Sequence, residues 1–274
     1  MSVKKTILDM CRLSSLAYNS PLQIQKLFEE KNEETLNKLL INPIYIDSKM
    51  YNNDNSNIDS SNIDGQLYIS KYKDDEGVIF FRGTESIQDW LTNLNIKRVE
   101  MNIENCKLKP LVHTGFLNQY ITLENEINKT IKDLNIKTIH LTGHSQGASL
   151  ASIASIKLHF LYPDLNIYCY TFGSPRVGNK VFSELFNKSV KKSYRFLNVL
   201  DPVTTLPTSW RYKHVNNSFW LYPDHMNNVR LSKCKRYCSI IRHGFFSLFG
   251  HYKKTLRCFH NIDNYYDYIT GLNI

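Results

Sequence analysis

Apolar residues along this chain recur in two forms, unbroken short runs and longer stretches where they return every three or four positions, and the two alternate. Val78-Ile79-Phe80-Phe81, Thr138-Ile139-His140-Leu141 and Tyr194-Arg195-Phe196-Leu197-Asn198-Val199-Leu200 are runs of the first kind, as expected of strands buried on both faces. The full set of strand expectations falls at 66–72, 77–82, 138–143, 166–172, 194–200 and 214–221. Helical spacing appears near 115–134, 146–161, 178–189 and 260–270. Residues 1–40 read as two helices split by Ser20-Pro21, because proline suits the first turn of a new helix. From Lys49 to Gly65, Asn, Asp and Ser predominate, as in a polar connection. Strands separated by helices predict an α/β protein with a mainly parallel central sheet, its functional groups at the carboxyl ends of the strands. A chain of 274 residues, 42% hydrophobic, suits one α/β domain over 1–274.

Candidate chemistry sits where one strand gives way to a helix. Thr142-Gly143-His144-Ser145-Gln146-Gly147-Ala148 places a serine in Gly-x-Ser-x-Gly directly after a strand run. This is the pattern of a nucleophile elbow, a sharp turn whose flanking residues must be small. Ala148, Leu150, Ala151, Ile153, Ala154 and Leu158 continue as a helix, so its first amides point toward charge developing beside Ser145. Serine needs a base and an orienting acid, which in this class of fold follow in the order Ser, Asp or Glu, His. Asp201 ends a strand run, 56 residues after Ser145, and Asp201-Pro202 also reads as a simple turn. Among nine histidines, His260 lies 59 residues after Asp201 at the head of a helical stretch, with His251 as the reserve candidate. His113, His140 and His214 lie in or beside predicted strands and read as scaffold, while His144 is expected to pack within the elbow.

Several blocks in order along the chain resemble the class 3 lipases, a family of fungal triacylglycerol lipases and plant sn-1 phospholipases. They are Leu13–Tyr18, Phe81-Arg82-Gly83-Thr84, Asp89–Leu94, Val112–Phe116 and Thr171–Asn179, followed by Asp201-Pro202-Val203 with Leu206-Pro207, Tyr212–Val215, and His260 five residues before Tyr265. The resemblance implies an α/β-hydrolase fold and ester hydrolysis of lipids without metal or cofactor. It implies Ser145 as nucleophile, Asp201 as acid and His260 as base, with Thr84 and Gln146 forming an oxyanion hole mainly through backbone amides. Gln146 departs from the leucine frequent in fungal members, which alters pocket polarity more than mechanism. Arg82 is expected to pair with a structural carboxylate. Ile87, Trp90, Leu91 and Leu94 share one helical face. The resemblance makes residues 86–94 a lid candidate, whereas the pattern alone equally suits a fixed core helix.

Charge adds a second theme. The formal net charge is +9, and Arg230, Lys233, Lys235, Arg236, Arg242, Lys253, Lys254 and Arg257 contribute eight positive charges with no acidic residue between His225 and Ile262. Ile240, Ile241, Phe245, Phe246, Leu248 and Phe249 interleave with them. This basic aromatic insertion, about 225–257, suits peripheral contact with an anionic membrane surface, where each cation adds about 1 kcal/mol. A solvated basic face over core phenylalanines is the plainer reading, and nucleic acid is not the expected partner. Cys234-x-x-x-Cys238 with His243, His251 and Cys258 makes zinc conceivable but fits no regular ligand spacing, so no metal is expected. The six cysteines read as reduced thiols. Asp9 and Arg12 interrupt any signal-peptide core, and no run reaches transmembrane length, predicting an intracellular protein, soluble or peripheral to membrane. The expected activity is a lipid ester hydrolase, foremost a triacylglycerol lipase, then an sn-1 phospholipase. Acyl transfer to an alcohol and a non-catalytic lipid-binding scaffold are the further alternatives.

Overall fold

The computed structural model describes residues 2–50, 65–84, 97–207, 210–215, 217–222 and 259–272. Its centre is a seven-stranded sheet in the order β1-β2-β3-β6-β7-β8-β9. These strands are β1 (Ile44–Asp47), β2 (Gln66–Lys73), β3 (Glu76–Phe81), β6 (Thr138–His144), β7 (Asn166–Phe172), β8 (Lys192–Asn198) and β9 (Ser218–Leu221). β1, β2 and β3 are antiparallel neighbours, and every pairing from β3 to β9 is parallel. A small antiparallel ribbon, β4 (Arg98–Glu100) with β5 (Leu111–His113), lies outside this sheet.

Helices cover both faces, as parallel strands require. α1 (Val3–Leu16), α2 (Pro21–Glu29) and α6 (Ile262–Thr270) contribute to one core together with Tyr68, Tyr72, Phe80, Phe172 and Phe196. α3 (Thr114–Leu134), α4 (Gln146–Leu161) and α5 (Lys180–Ser189) contribute to the other, against Ile79, Phe81, Leu141 and Ile167. α4 is buried almost all round, packed on β3, β6 and β7 and between α3 and α5. Its small residues permit that approach, and the Ser152 and Ser155 hydroxyls donate to the carbonyls of Ala148 and Ala151 at 2.9 and 2.7 Å, leaving neither buried hydroxyl unsatisfied. The expected break at Ser20-Pro21 is a capping box, with Ser20 and Gln23 serving each other's backbone and Pro21 opening α2.

The main elements fall where the apolar pattern predicts, with instructive shifts. β8 ends at Asn198 rather than 200 because the Asn198 side-chain oxygen takes the Leu200 N–H at 3.0 Å and its carbonyl takes the Asp201 N–H at 3.1 Å, turning the chain. β9 starts at Ser218 rather than 214, since Lys213 instead bridges to Gly178. β1, β4 and β5 were not anticipated, being too short to display a period. Of the expected polar connection at 49–65, residues 51–64 lie outside the described residues.

Candidate active site

Ser145 sits between the last residue of β6 and the first of α4 with φ 57° and ψ −125°, a left-handed conformation that is costly for a residue with a side chain. Its N–H donates to the Phe172 carbonyl at 3.0 Å, tying the turn to the end of β7. The flanking glycines are required by contact. A Cβ at Gly147 would lie 2.4 Å from the Phe81 carbonyl oxygen, and one at Gly143 2.4 Å from the Gly147 carbonyl carbon. Ser145 is 2% exposed.

The ends of β8 and α6 supply the other two groups. Asp201 is fully buried, and its Oδ1 accepts the Val203 N–H at 2.9 Å. Its Oδ2 accepts from His260 Nδ1 and from the Tyr265 hydroxyl, each at 2.6 Å. Burial pushes the Tyr265 phenol well above its usual range, so it remains a donor. With Nδ1 committed to Asp201, His260 Nε2 is buried and makes no hydrogen bond to the described residues. Asn198 joins the two elements: its side-chain amide donates to the Phe259 carbonyl at 2.9 Å and its N–H to the Tyr265 oxygen at 3.1 Å. The His260 ring packs on His144, the neighbour of Ser145, with ring centroids 4.5 Å apart. Ser145 thus follows β6, Asp201 follows β8 and His260 precedes α6, with Asp201 and His260 hydrogen-bonded and the His260 ring against the residue before Ser145.

Thr84 and Gln146 also come together here, the Thr84 hydroxyl donating to the Gln146 side-chain oxygen. Gln146 opens α4, where first-turn amides have no intrahelical acceptor. Arg82 donates to the Gln66 side chain at 2.7 Å, and Gln66 donates to Asp47 at 3.1 Å. The other histidines bond within the scaffold: His140 to Glu76 at 3.0 Å and to Tyr170 at 3.3 Å, and His214 to the Thr204 carbonyl at 2.7 Å. His113 lies against Phe116, with ring centroids 4.2 Å apart.

The family described as Lipase (class 3) matches residues 78–210, from within β3 to beyond Asp201. Over that segment the chain is similar to the class 3 lipases. It is 28% identical over 202 residues to the chloroplastic phospholipase A(1) DAD1 of Arabidopsis thaliana, covering 60% of this chain and 45% of that relative. It is 30% identical over 154 residues to secreted mono- and diacylglycerol lipase 1 of Fusarium solani, covering 53% of this chain and 44% of the relative. The matches therefore span less than half the length of either relative. Rhizomucor miehei triacylglyceride lipase superposes with a TM-score of 0.67 at 20% identity, over 89% of this chain and 94% of that one. That likeness establishes the α/β-hydrolase fold.

Two residues of the site had no assigned role in the sequence. Tyr265 and Tyr18 each stood in a block shared with the class 3 lipases, yet only folding puts the Tyr265 hydroxyl on Asp201 and the Tyr18 hydroxyl on His144. The lid candidate with Ile87, Trp90, Leu91 and Leu94, the basic aromatic insertion at about 225–257, His243, His251 and the Cys234/Cys238/Cys258 group lie outside the described residues.

Proposed function

We propose that this chain is a carboxylic ester hydrolase of lipids that works through Ser145, His260 and Asp201. The Ser145 Oγ attacks the ester carbonyl carbon as its proton passes to His260 Nε2. Backbone N–H groups of Thr84 and Gln146 stabilise the oxyanion, each donor supplying about 3 kcal/mol. Collapse of the tetrahedral intermediate breaks the acyl–oxygen bond, and the alcohol leaves with the proton from His260. Water then gives a proton to Nε2 as its oxygen attacks the acyl carbon, the bond to Ser145 Oγ breaks to release a carboxylic acid, and Oγ takes the proton back from Nε2. Asp201 holds the Nδ1–H tautomer throughout and stabilises the imidazolium. The observation that carries this reading is the buried Asp201–His260 bond, which leaves Nε2 uncommitted while the His260 ring packs on His144, the neighbour of a serine held in a strained turn.

Triacylglycerol is the first substrate class, and a phospholipid cleaved at the sn-1 ester is the second. The second is supported by the similarity to a phospholipase A(1) and by the eight cations of the basic insertion. That insertion would meet an anionic membrane surface, and residues 86–94 would cover the serine as a lid. The proposed compartment is intracellular: Cys11, Cys106 and Cys169 are free thiols, as in a reducing environment. No described helix is long and apolar enough to cross a membrane.

Fatty-acid release from a triacylglycerol emulsion and from anionic phospholipid vesicles, by wild type and Ser145→Ala side by side, tests the reading. Serine-dependent release is expected, and the better substrate decides between the two classes. Vesicle binding by both proteins with no release from either would instead indicate a lipid-binding scaffold.

A further inference from the structure

His144 is buried beside the triad, yet the ester chemistry makes no use of it. It directly precedes Ser145, is 3% exposed, and packs on the His260 ring at 4.5 Å with 36° between the planes. Tyr265, the second donor to Asp201, meets His144 edge-on at 6.0 Å and 63°. His144 Nδ1 lies 2.9 Å from the Tyr18 hydroxyl, which comes from just beyond α1, 126 residues away in sequence. Tyr18 also reaches the proposed oxyanion turn, because a methyl group added at Gly83 would overlap its hydroxyl oxygen. One phenol therefore touches the residue before Thr84 and the residue before Ser145.

The protonation states are set by enclosure. Burial, reinforced by the facing His260, holds His144 well below the usual histidine range. Burial likewise raises the Tyr18 phenol, with the Arg82 cation acting in the opposite sense. Phenol and imidazole are therefore both neutral, and donation from the Tyr18 hydroxyl to Nδ1 would select the Nε2–H tautomer of His144. An uncharged ring in this place leaves His260 free to take a proton, whereas an imidazolium at the same distance would oppose it.

We propose that Tyr18 and His144 are a positioning pair: the Tyr18 hydroxyl locks the His144 ring, and the locked ring holds the His260 imidazole in the plane that keeps Nδ1 on Asp201 and presents Nε2 to Ser145. The proposal rests on the triad assignment above. It differs from simple core packing in requiring the phenolic hydroxyl and the Nδ1 atom, and not only the volumes of the two rings.

Tyr18→Phe keeps the ring and deletes the hydroxyl. Its kcat is expected to fall between about threefold and tenfold, the range of one lost hydrogen bond, with KM within about twofold. The low-field proton resonance of His260 Nδ1–H is expected to shift upfield or broaden. His144→Phe should lose kcat comparably, and Tyr18→Phe/His144→Phe should lose no more than His144→Phe alone. If Tyr18→Phe does not fold, His144→Phe carries the same readings. Wild-type kcat with an unmoved His260 resonance in either variant overturns the proposal, as does a fall in kcat with the resonance unmoved. Because the resonance is read without substrate, a wild-type protein that cleaves no ester would remove the function assignment while the positioning test still stands.

Discussion

The proposed nucleophile half of this site and its proposed acid–base half are held in place by different physics. Ser145 is set by local sterics: adjacent residues force φ to 57°, and Gly143 and Gly147 allow backbones to approach where any side chain would collide. Asp201 and His260 are set by long-range hydrogen bonds among Asp201, His260, Tyr265, Asn198 and Phe259, groups brought together across 59 to 67 residues of chain. The first half is a steric device that tolerates no added atoms. The second is a polar network in which donors answer a buried carboxylate.

Mutations that separate the halves should show different signatures. The largest loss is expected for the reacting groups themselves. Ser145→Ala and His260→Ala should each lower kcat by about 10⁶-fold, and His251→Ala should leave it within about twofold, measured as serine-dependent fatty-acid release. Activity abolished in His251→Ala and retained in His260→Ala would reverse the choice of base. Asp201→Asn should lower kcat by about 10⁴-fold with the protein still folded, since the wrong imidazole tautomer is then favoured.

Next comes the steric half. Gly147→Ala puts a Cβ 2.4 Å from the Phe81 carbonyl, so a stability loss of about 2 kcal/mol is expected along with the loss of turnover. Denaturant unfolding measures the first and ester hydrolysis the second. In the polar half, Tyr265→Phe removes one of the donors to a buried carboxylate. It should cost about 2 kcal/mol in the same unfolding assay and lower kcat by about tenfold. If Gly147→Ala were neutral while Tyr265→Phe was not, the contrast between the halves would fail.

The smallest effect concerns pH. His144 is held below its usual pKa in the folded state, foremost by burial, while the unfolded chain protonates it near 6.5. The unfolded state therefore binds more protons in acid. The stabilisation is present above about pH 6.5 and is lost as pH falls, by at most about 1.4 kcal/mol per pH unit. Melting temperatures at pH 7.5 and 5.0 should show a smaller acid-induced drop in His144→Phe than in wild type.

Much of this architecture could be read from the residue pattern, for reasons tied to particular segments. Val78–Phe81 and Thr138–Leu141 are strands buried on both faces, so their apolar runs stand out, and α4 shows itself through its small residues. The elbow was legible because its chemistry, strain and spacing occupy consecutive residues. β4 and β5 were not, because three-residue strands have no measurable period. The end of β8 was misplaced because the Asn198 side chain, rather than any change in hydrophobicity, turns the chain.

By itself the sequence determined the alternation of strands and helices, the steric turn at Ser145 and the order of the chemical groups, since each depends on residues close along the chain. Only the tertiary structure decided that His260 Nδ1 bonds Asp201 with Tyr265 on the same oxygen, and that Tyr18 reaches across to His144. Those contacts join residues 59 to 126 positions apart, and their directions come from how α1 and α6 pack on one face of the sheet. Local pattern specifies elements through short-range sterics and burial, whereas the aim of a hydrogen bond between distant side chains exists only once those elements are packed.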